Sequence, residues 1–378
     1  MKRIFTTQTL MIILLTMLFT LAACAGCVLW LCGGVARLEV LGKQNAVLDV
    51  IEEHYIGDYD LSELSDASAS AMVSALGDSW SYYMTAERYE AYRQTLANTS
   101  GGIGVTVAPD EETGGFAVYA VMEDSPAEGA GIAEGDVIIS LNGEDLYNLT
   151  TAEFKALLGK QEGEFELGIL SGGEEKTVTL ALDTIYYSPV AYTMLDDNIG
   201  YIDINNFETG AAADAIAAIE DLTGEGAAAL IFDVRTNPGG LLTELTELLD
   251  YLLPEGDIYV SVDESGEETV YTSEASCVEM PMAVLINAQT YSAAEFFAAT
   301  LQEYDWATLV GENTTGKNRS QLTYLLRDGS AVHISTLMAL TSNRVDLVET
   351  GGLTPDVAAA QGTDADEQLA AAIEYLLK

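Results

Sequence analysis

Ser292 stands where an apolar run, Met282 to Ile286, gives way to a helix-forming stretch, in NAQTYSAAEFFAATL at 287–301. Two chemistries fit a serine at such a corner. As an N-cap, its hydroxyl accepts from the first free helix amides, and Glu295 three residues on completes a capping box. As a nucleophile, it stands exposed at the turn beside backbone N–H groups that can hold an oxyanion. Two more polar segments sit at expected strand ends: DVRTNPGG from Asp233 to Gly240, and GENTTGKNRSQ from Gly311 to Gln321. Asp233 and Arg235 read as a structural pair. The two histidines, His54 and His333, lie in unrelated segments, and His333 reads as a packed residue of a strand. Cys277 stands alone outside the N-terminal segment, so no metal-ligand spacing is present.

The elements that must position these segments alternate between strand and helix from Ile185 onward. Strands are expected at 199–204, 228–234, 283–286 and 308–310, with helices at 211–222, 241–253 and 293–303 between them. This is α/β texture. Two further strands, 322–326 and 331–336, flank Asp328-Gly329-Ser330, and an amphipathic helix closes the chain at 367–377. Upstream, residues 36–98 read as all-helical and tyrosine-rich, a separate packing layer or a dimer element. From Thr99 the texture changes. A glycine loop at 101–104 runs into a strand, a second strand covers 116–121, and a short helix starts at Ser125-Pro126. A strand at 137–141 ends in an Asn142-Gly143 turn. A helix at 151–158 and a hairpin around Gly172-Gly173 complete this part.

The chain has 378 residues, 49% hydrophobic, enough to bury a large core in two or three domains. Its 15 Lys+Arg face 60 Asp+Glu, a formal net charge of −45. Such a field repels nucleic acid and anionic headgroups, so no nucleic acid partner is expected. The run from Leu10 to Gly34 carries no charge and exceeds the roughly 20 residues that span a bilayer. Lys2 and Arg3 before it would hold the N-terminus in the cytoplasm. The expectation is a single-pass transmembrane helix in the cell membrane with the rest of the chain extracytoplasmic. Leu21-Ala22-Ala23-Cys24 resembles a lipobox, which offers a lipoprotein through Cys24 as the alternative. The apolar run continues through Val28-Leu29-Trp30-Leu31, which favours the uncleaved anchor.

Residues 99–183 resemble a bacterial PDZ domain, on Ser125-Pro126-Ala127, Gly135-Asp136-Val137-Ile138 and Asn142-Gly143. The resemblance implies that Gly102, Ile103, Gly104 and Val105 bind a peptide carboxylate. Consecutive amides in a glycine turn form an anion nest, and the adjoining strand edge pairs with an extended peptide. The three polar segments, with Leu76-Gly77-Asp78-Ser79-Trp80-Ser81-Tyr82-Tyr83 and Gly352-Leu353-Thr354-Pro355-Asp356, resemble the C-terminal processing peptidases, or tail-specific proteases. That resemblance implies a multidomain α/β chain. Its parts would be a cytoplasmic N-terminus and membrane anchor (1–35), a helical region (36–98), a PDZ domain that is β-rich with two helices (99–183), and an α/β crotonase/ClpP-like protease core with a C-terminal helix (184–378).

By the same resemblance Ser292 is the nucleophile, Lys317 the general base and Gln321 the group that orients the lysine. The oxyanion hole falls on the backbone N–H groups of Gly239 and Ala293. These residue types suit the task. A lysine acts as a base only when neutral, so its usual pKa of about 10.4 must fall by several units. Lys317 is therefore expected in a locally apolar or positively biased pocket, with Arg319 a candidate neighbour. Gln321 accepts a hydrogen bond without fixing the lysine's charge. No metal or organic cofactor is implied. Tyr291 before the serine and Asn318-Arg319 after the lysine depart from the family's smaller residues, which bears on rate and specificity. The expected function is a membrane-anchored serine endopeptidase that captures substrate C-termini through its PDZ domain. Partners are peptides or proteins with exposed C-termini; a homodimer and an activating partner are both compatible with the chain. The alternative is a catalytically silent PDZ adaptor on a protease-like core.

Overall fold

In the computed structural model, residues 7–31, 34–362 and 365–378 are described. The chain divides into two compact units, 1–68 and 69–378. The first holds the helices Thr7–Leu31 and Val35–His54. Gln44 Nε2 donates to Ser68 Oγ at 2.8 Å, which ties the second of these to the helix that begins at Leu61. Among the described residues, no helix is long and apolar enough to cross a membrane. The anchor expected over 10–34 is helical through Leu31 but gains no support as a span. Lys2, Arg3, Cys32 and Gly33 lie outside the described residues.

The second unit begins with a departure from the all-helical reading of 36–98. Tyr82–Met84 is a strand, and it pairs antiparallel with Ala331–His333. The turn before it is fixed by Asp78, whose carboxylate accepts from the Trp80 N–H at 3.1 Å and the Ser81 hydroxyl at 2.5 Å. Ser81 Oγ in turn accepts from Ser335 N–H at 3.0 Å. Three-residue strands carry too little pattern to be seen in the sequence, and here the partner is some 250 residues away.

Between Thr99 and Tyr186 the chain forms an antiparallel sheet in the order Val105–Pro109, Phe116–Val121, Val137–Leu141, Glu164–Ser171, Glu174–Ala181. Alternation does the sorting: Phe165, Leu167 and Ile169 are buried while their neighbours are not. They pack with Phe116 and Phe154, whose rings stack at 4.5 Å. Asn142 and Gly143 both have positive φ, 49° and 80°, the mirror-type turn expected there. Thr150 and Glu153 cap the helix Thr151–Leu158 reciprocally, and this helix packs against Val105–Pro109. That strand ends the sheet order, so its outer edge is unpaired among the described strands.

The core sheet runs Val190–Met194, Ile199–Ile204, Ala229–Asp233, Met282–Ile286, Ala307–Gly311, Val357–Ala358, parallel after the first pair. Its central strands Ala229–Asp233 and Met282–Ile286 are apolar except for Asp233, because both faces are covered. Leu230, Phe232, Met282, Val284 and Ile286 pack beneath the helices Ala211–Glu225, Leu242–Leu252 and Ala293–Glu303. Ala229, Ile231, Ala283 and Leu285 face the helix Glu367–Leu376 instead. A second sheet joins Tyr82–Met84, Ala331–Leu340, Gly256–Val262 and Glu268–Ser273, with Arg319–Leu325 against Ala331–Leu340.

Candidate active site

Three neighbouring parallel strands end on the same side of the core sheet, and the loops that leave them meet there, the usual place for a site in an α/β sheet. The loop after Asp233 is anchored by Arg235, whose guanidinium bonds both Asp233 oxygens and both Asp366 oxygens. The expected Asp233–Arg235 pair therefore also holds the start of the last helix. Asn237, fully buried, donates to the Ile204 carbonyl and accepts from Gly239 N–H at 2.7 Å. Its own carbonyl accepts from Tyr291 N–H at 3.1 Å. One buried asparagine thus links a strand, the glycine loop and the serine corner.

At that corner Ser292 has φ 60° and ψ −130°, a region that disfavours any residue with a side chain. The corner has the layout of a capping box with Glu295, but the bonds that start the helix run through the backbone rather than the hydroxyl. Glu295 N–H goes to the Ser292 carbonyl at 2.8 Å, and Ser292 N–H donates to the Glu295 carboxylate at 3.0 Å. The backbone starts the helix and the hydroxyl is left for other work. The capping reading of Glu295 captured one bond of four. Fully buried, its carboxylate also accepts from the Thr314 hydroxyl at 2.5 Å, Gly316 N–H at 2.6 Å and Lys317 N–H at 2.9 Å. It clamps the third loop to the serine corner.

Lys317 is 9% exposed. Its Nζ lies 4.4 Å from the centre of the Trp80 ring and 5.8 Å from that of Tyr291, and these two rings are 5.7 Å apart. Burial pushes its pKa down from 10.5 to about 8, against the opposing charges of Glu295 and Asp78. The expected apolar pocket is therefore aromatic. Arg319 is exposed and is no part of it. Ser292, Lys317, Gln321 and Gly239 line one cavity of about 580 Å³. The Gln321 amide donates to the Arg319 carbonyl at 2.9 Å and to Ser335 Oγ at 3.0 Å, while the group packed on the Lys317 ammonium is the Trp80 ring.

A model of peptidase family S41 matches residues 198–359, and a PDZ domain model matches residues 94–170. The carboxy-terminal processing protease CtpA of Bacillus subtilis is 32% identical over 321 residues, 84% of this chain and 68% of that protein. The chain belongs to peptidase family S41. It is a serine-type C-terminal processing peptidase. The carboxyl-terminal-processing protease of Synechocystis sp. is 31% identical over 322 residues, 81% of this peptidase and 75% of that one. Among solved structures, the photosystem II D1 C-terminal processing protease shares the fold at a TM-score of 0.50 and 24% identity, over 86% of this chain and 90% of that one.

Gly239 and Ala293, expected to supply the oxyanion donors, lie beside each other in the peptidase. Gly239 has φ +87°, and a Cβ on it would lie 2.7 Å from Ala293 N. Yet the Gly239 N–H is already bonded to Asn237 Oδ1, because the tight turn folds the asparagine side chain onto it. Gly239→Ala is expected to lower kcat by about 10²-fold, the loss that a misplacement of about 1 Å causes at a reacting group. The new methyl would collide with Ala293 N and with Ser292 Cβ, 2.8 Å away. A thermal melt beside the kinetics separates this from unfolding, and activity within a few-fold of wild type would show that this corner tolerates the clash.

His333, expected as a packed strand residue, packs against Tyr82 and Tyr92 and also lines the same cavity. Its ring lies 4.7 Å from Tyr82, and Nδ1 is 2.8 Å from Thr323 Oγ1. Burial, helped by the charge of Lys317, lowers its pKa to about 4, so it is neutral at physiological pH. Trp80 and Asn237 are site residues that the sequence reading does not single out, and His333 is one that it sets aside. Only Trp80 carried a signal, as part of the Leu76–Tyr83 stretch.

Proposed function

We propose that this peptidase holds the free C-terminus of a protein or peptide in its PDZ domain and cleaves it through an acyl-enzyme on Ser292, with Lys317 as the base. The observation that carries the reading is a buried lysine, lowered to about 8, in one cavity with a serine whose helix-starting bonds run through the backbone rather than the hydroxyl. Neutral Lys317 takes the Ser292 proton as Oγ attacks the peptide carbonyl. The ammonium formed then gives its proton to the departing amine, and water resolves the ester. The Ala293 amide supports the oxyanion. Gln321, at the same cavity wall, is proposed to orient the lysine once substrate is bound.

The bond between Gly239 N–H and Asn237 supports a resting state in which the oxyanion hole is half made, to be completed by substrate or by an activating partner. For the PDZ domain, the Ile103 and Gly104 carbonyls accept from Ala127 and Met122 N–H, each at 2.9 Å, which fixes the turn 102–105 beside the unpaired edge of Val105–Pro109. An extracytoplasmic, membrane-tethered placement rests on the N-terminal sequence, the uncharged run behind Lys2 and Arg3. Fractionation of cells with and without residues 1–35 tests it. Homodimer formation is read from the tyrosine-rich lead and is tested by measuring the molar mass in solution, as by light scattering.

The cleavage reading is tested with one unstructured peptide, bearing an apolar C-terminus, made as the free acid and as the amide. The free acid is expected to be cut with a kcat/KM at least about tenfold higher, one charge-assisted contact's worth. Equal rates would remove the carboxylate-capture step, and no cutting of either would favour the adaptor.

A further inference from the structure

Glu208 is the acidic residue of the catalytic cavity that the proposed chemistry does not use. It follows Phe207, whose N–H donates to the Gly239 carbonyl at 2.8 Å and whose carbonyl accepts from Leu241 N–H at 2.7 Å. Its own N–H is held by Asn206 Oδ1 at 2.9 Å. The backbone is therefore pinned to the glycine loop, and the side chain lines the same cavity as Ser292 and Lys317. One oxygen of its carboxylate is unmatched. Oε2 is buried and has no hydrogen-bond partner among the described residues, an arrangement that proteins rarely leave without a use. Tyr82 and Tyr92 line the cavity with it and flank His333 at 4.7 and 5.7 Å. Aromatic faces beside an unpaired carboxylate are what a cationic side chain requires.

We propose that Glu208 makes this cavity selective for a basic side chain of the substrate, lysine or arginine, near the scissile bond. The inference rests on the peptidase reading above and names the substrate class for the same site. It also carries a pH signature. Burial, then the charge of Glu244, pushes the Glu208 carboxyl up to about 7. Of the other groups around it, His333 is neutral above about 4. Tyr82 is raised from its usual value and Tyr92 reaches about 12, so both are neutral too. The empty site is thus largely protonated below pH 7, and a bound cation favours the carboxylate. Preference for lysine over methionine should grow as pH rises through 7. Titration of Lys317 near 8 affects both peptides and cancels in their ratio.

The test uses the full chain and free-acid peptides in which each residue flanking the cut is in turn Lys, Met or Glu. At one position the ratio of kcat/KM for Lys over Met is expected to favour Lys in wild type. It should fall by about 10- to 100-fold in Glu208→Gln, the size of a lost buried charge contact. The isosteric variant is chosen so that it folds, and a melt checks this. A ratio that Glu208→Gln does not change, or a wild type that prefers Met at every position, overturns the proposal. Binding of the same peptides to Ser292→Ala, with and without Glu208→Gln, gives an independent readout. If no peptide is cut, the peptidase reading falls; tighter binding of the Lys peptide only when Glu208 is present still upholds the selectivity, and equal binding overturns it.

Discussion

Lys317→Ala and Ser292→Ala each lower kcat/KM by about 10⁴-fold or more, the scale on which groups acting as one nucleophilic unit fail when either is removed. The lysine variant should do so without losing stability. Lys317 has a folded-state pKa of about 8 against a usual value of 10.5, so the fold disfavours its charged form. Below pH 8 the protein carries a protonated lysine at a cost of roughly 3 kcal/mol, and that cost disappears as pH rises from 8 to 10.5. Removing the amine, as in Lys317→Met, is therefore expected to raise the melting temperature by a few degrees at pH 7 and to abolish the gain at pH 10.5. The same shift sets the activity profile: kcat/KM of the wild type should climb with pH through about 8, as the neutral amine becomes the main form. Melts and pH–rate profiles of wild type and variants check all three points. A Lys317→Ala protein that still cuts, beside a His333→Ala protein that does not, would hand the base to the histidine in the same cavity.

Glu295→Ala is expected to lose both stability and activity. The carboxylate takes four hydrogen bonds in a fully buried position, three of them from backbone N–H groups. Its removal leaves those donors buried and unmatched, at about 1–3 kcal/mol each before relaxation, so a net loss near 4 kcal/mol is expected. Glu295→Gln keeps the shape but turns one acceptor into a donor that faces N–H groups. We expect a milder loss, about 2 kcal/mol, with kcat down by about 10²-fold, because a misplacement of about 1 Å in the lysine loop suffices for that loss. Amide exchange at 314–317 should speed in the variant more than exchange in the central strands. Full activity in a folded Glu295→Gln protein would show that the clamp serves only the fold.

The two residues separate what is local from what is not. The Ser292 corner was legible because an apolar strand, a serine and a helix lie within one short stretch, and local pattern is what a sequence carries directly. The PDZ texture was legible for the same reason, in its Asn142-Gly143 turn and its alternating strands. So were the alternating strands and helices of the core, and with them the three loops that had to meet at one end of a parallel sheet. The N-terminal run is uncharged, yet no helix among the described residues is long and apolar enough to cross a membrane, so its membrane role stays a proposal that composition alone carries.

What lay beyond the sequence depends on contacts between distant segments. Glu295 looked like a helix cap because one of its four partners is local, and the other three are about 20 residues ahead. Trp80 comes to cover Lys317 only because Tyr82–Met84 joins the strand Ala331–Leu340. His333 enters the cavity through that same pairing. Local pattern was enough to find the residue types for acyl chemistry and the strands that carry them. Tertiary structure decided how far the lysine's proton is loosened, because desolvation depends on which rings close over the amine, and no local pattern encodes that.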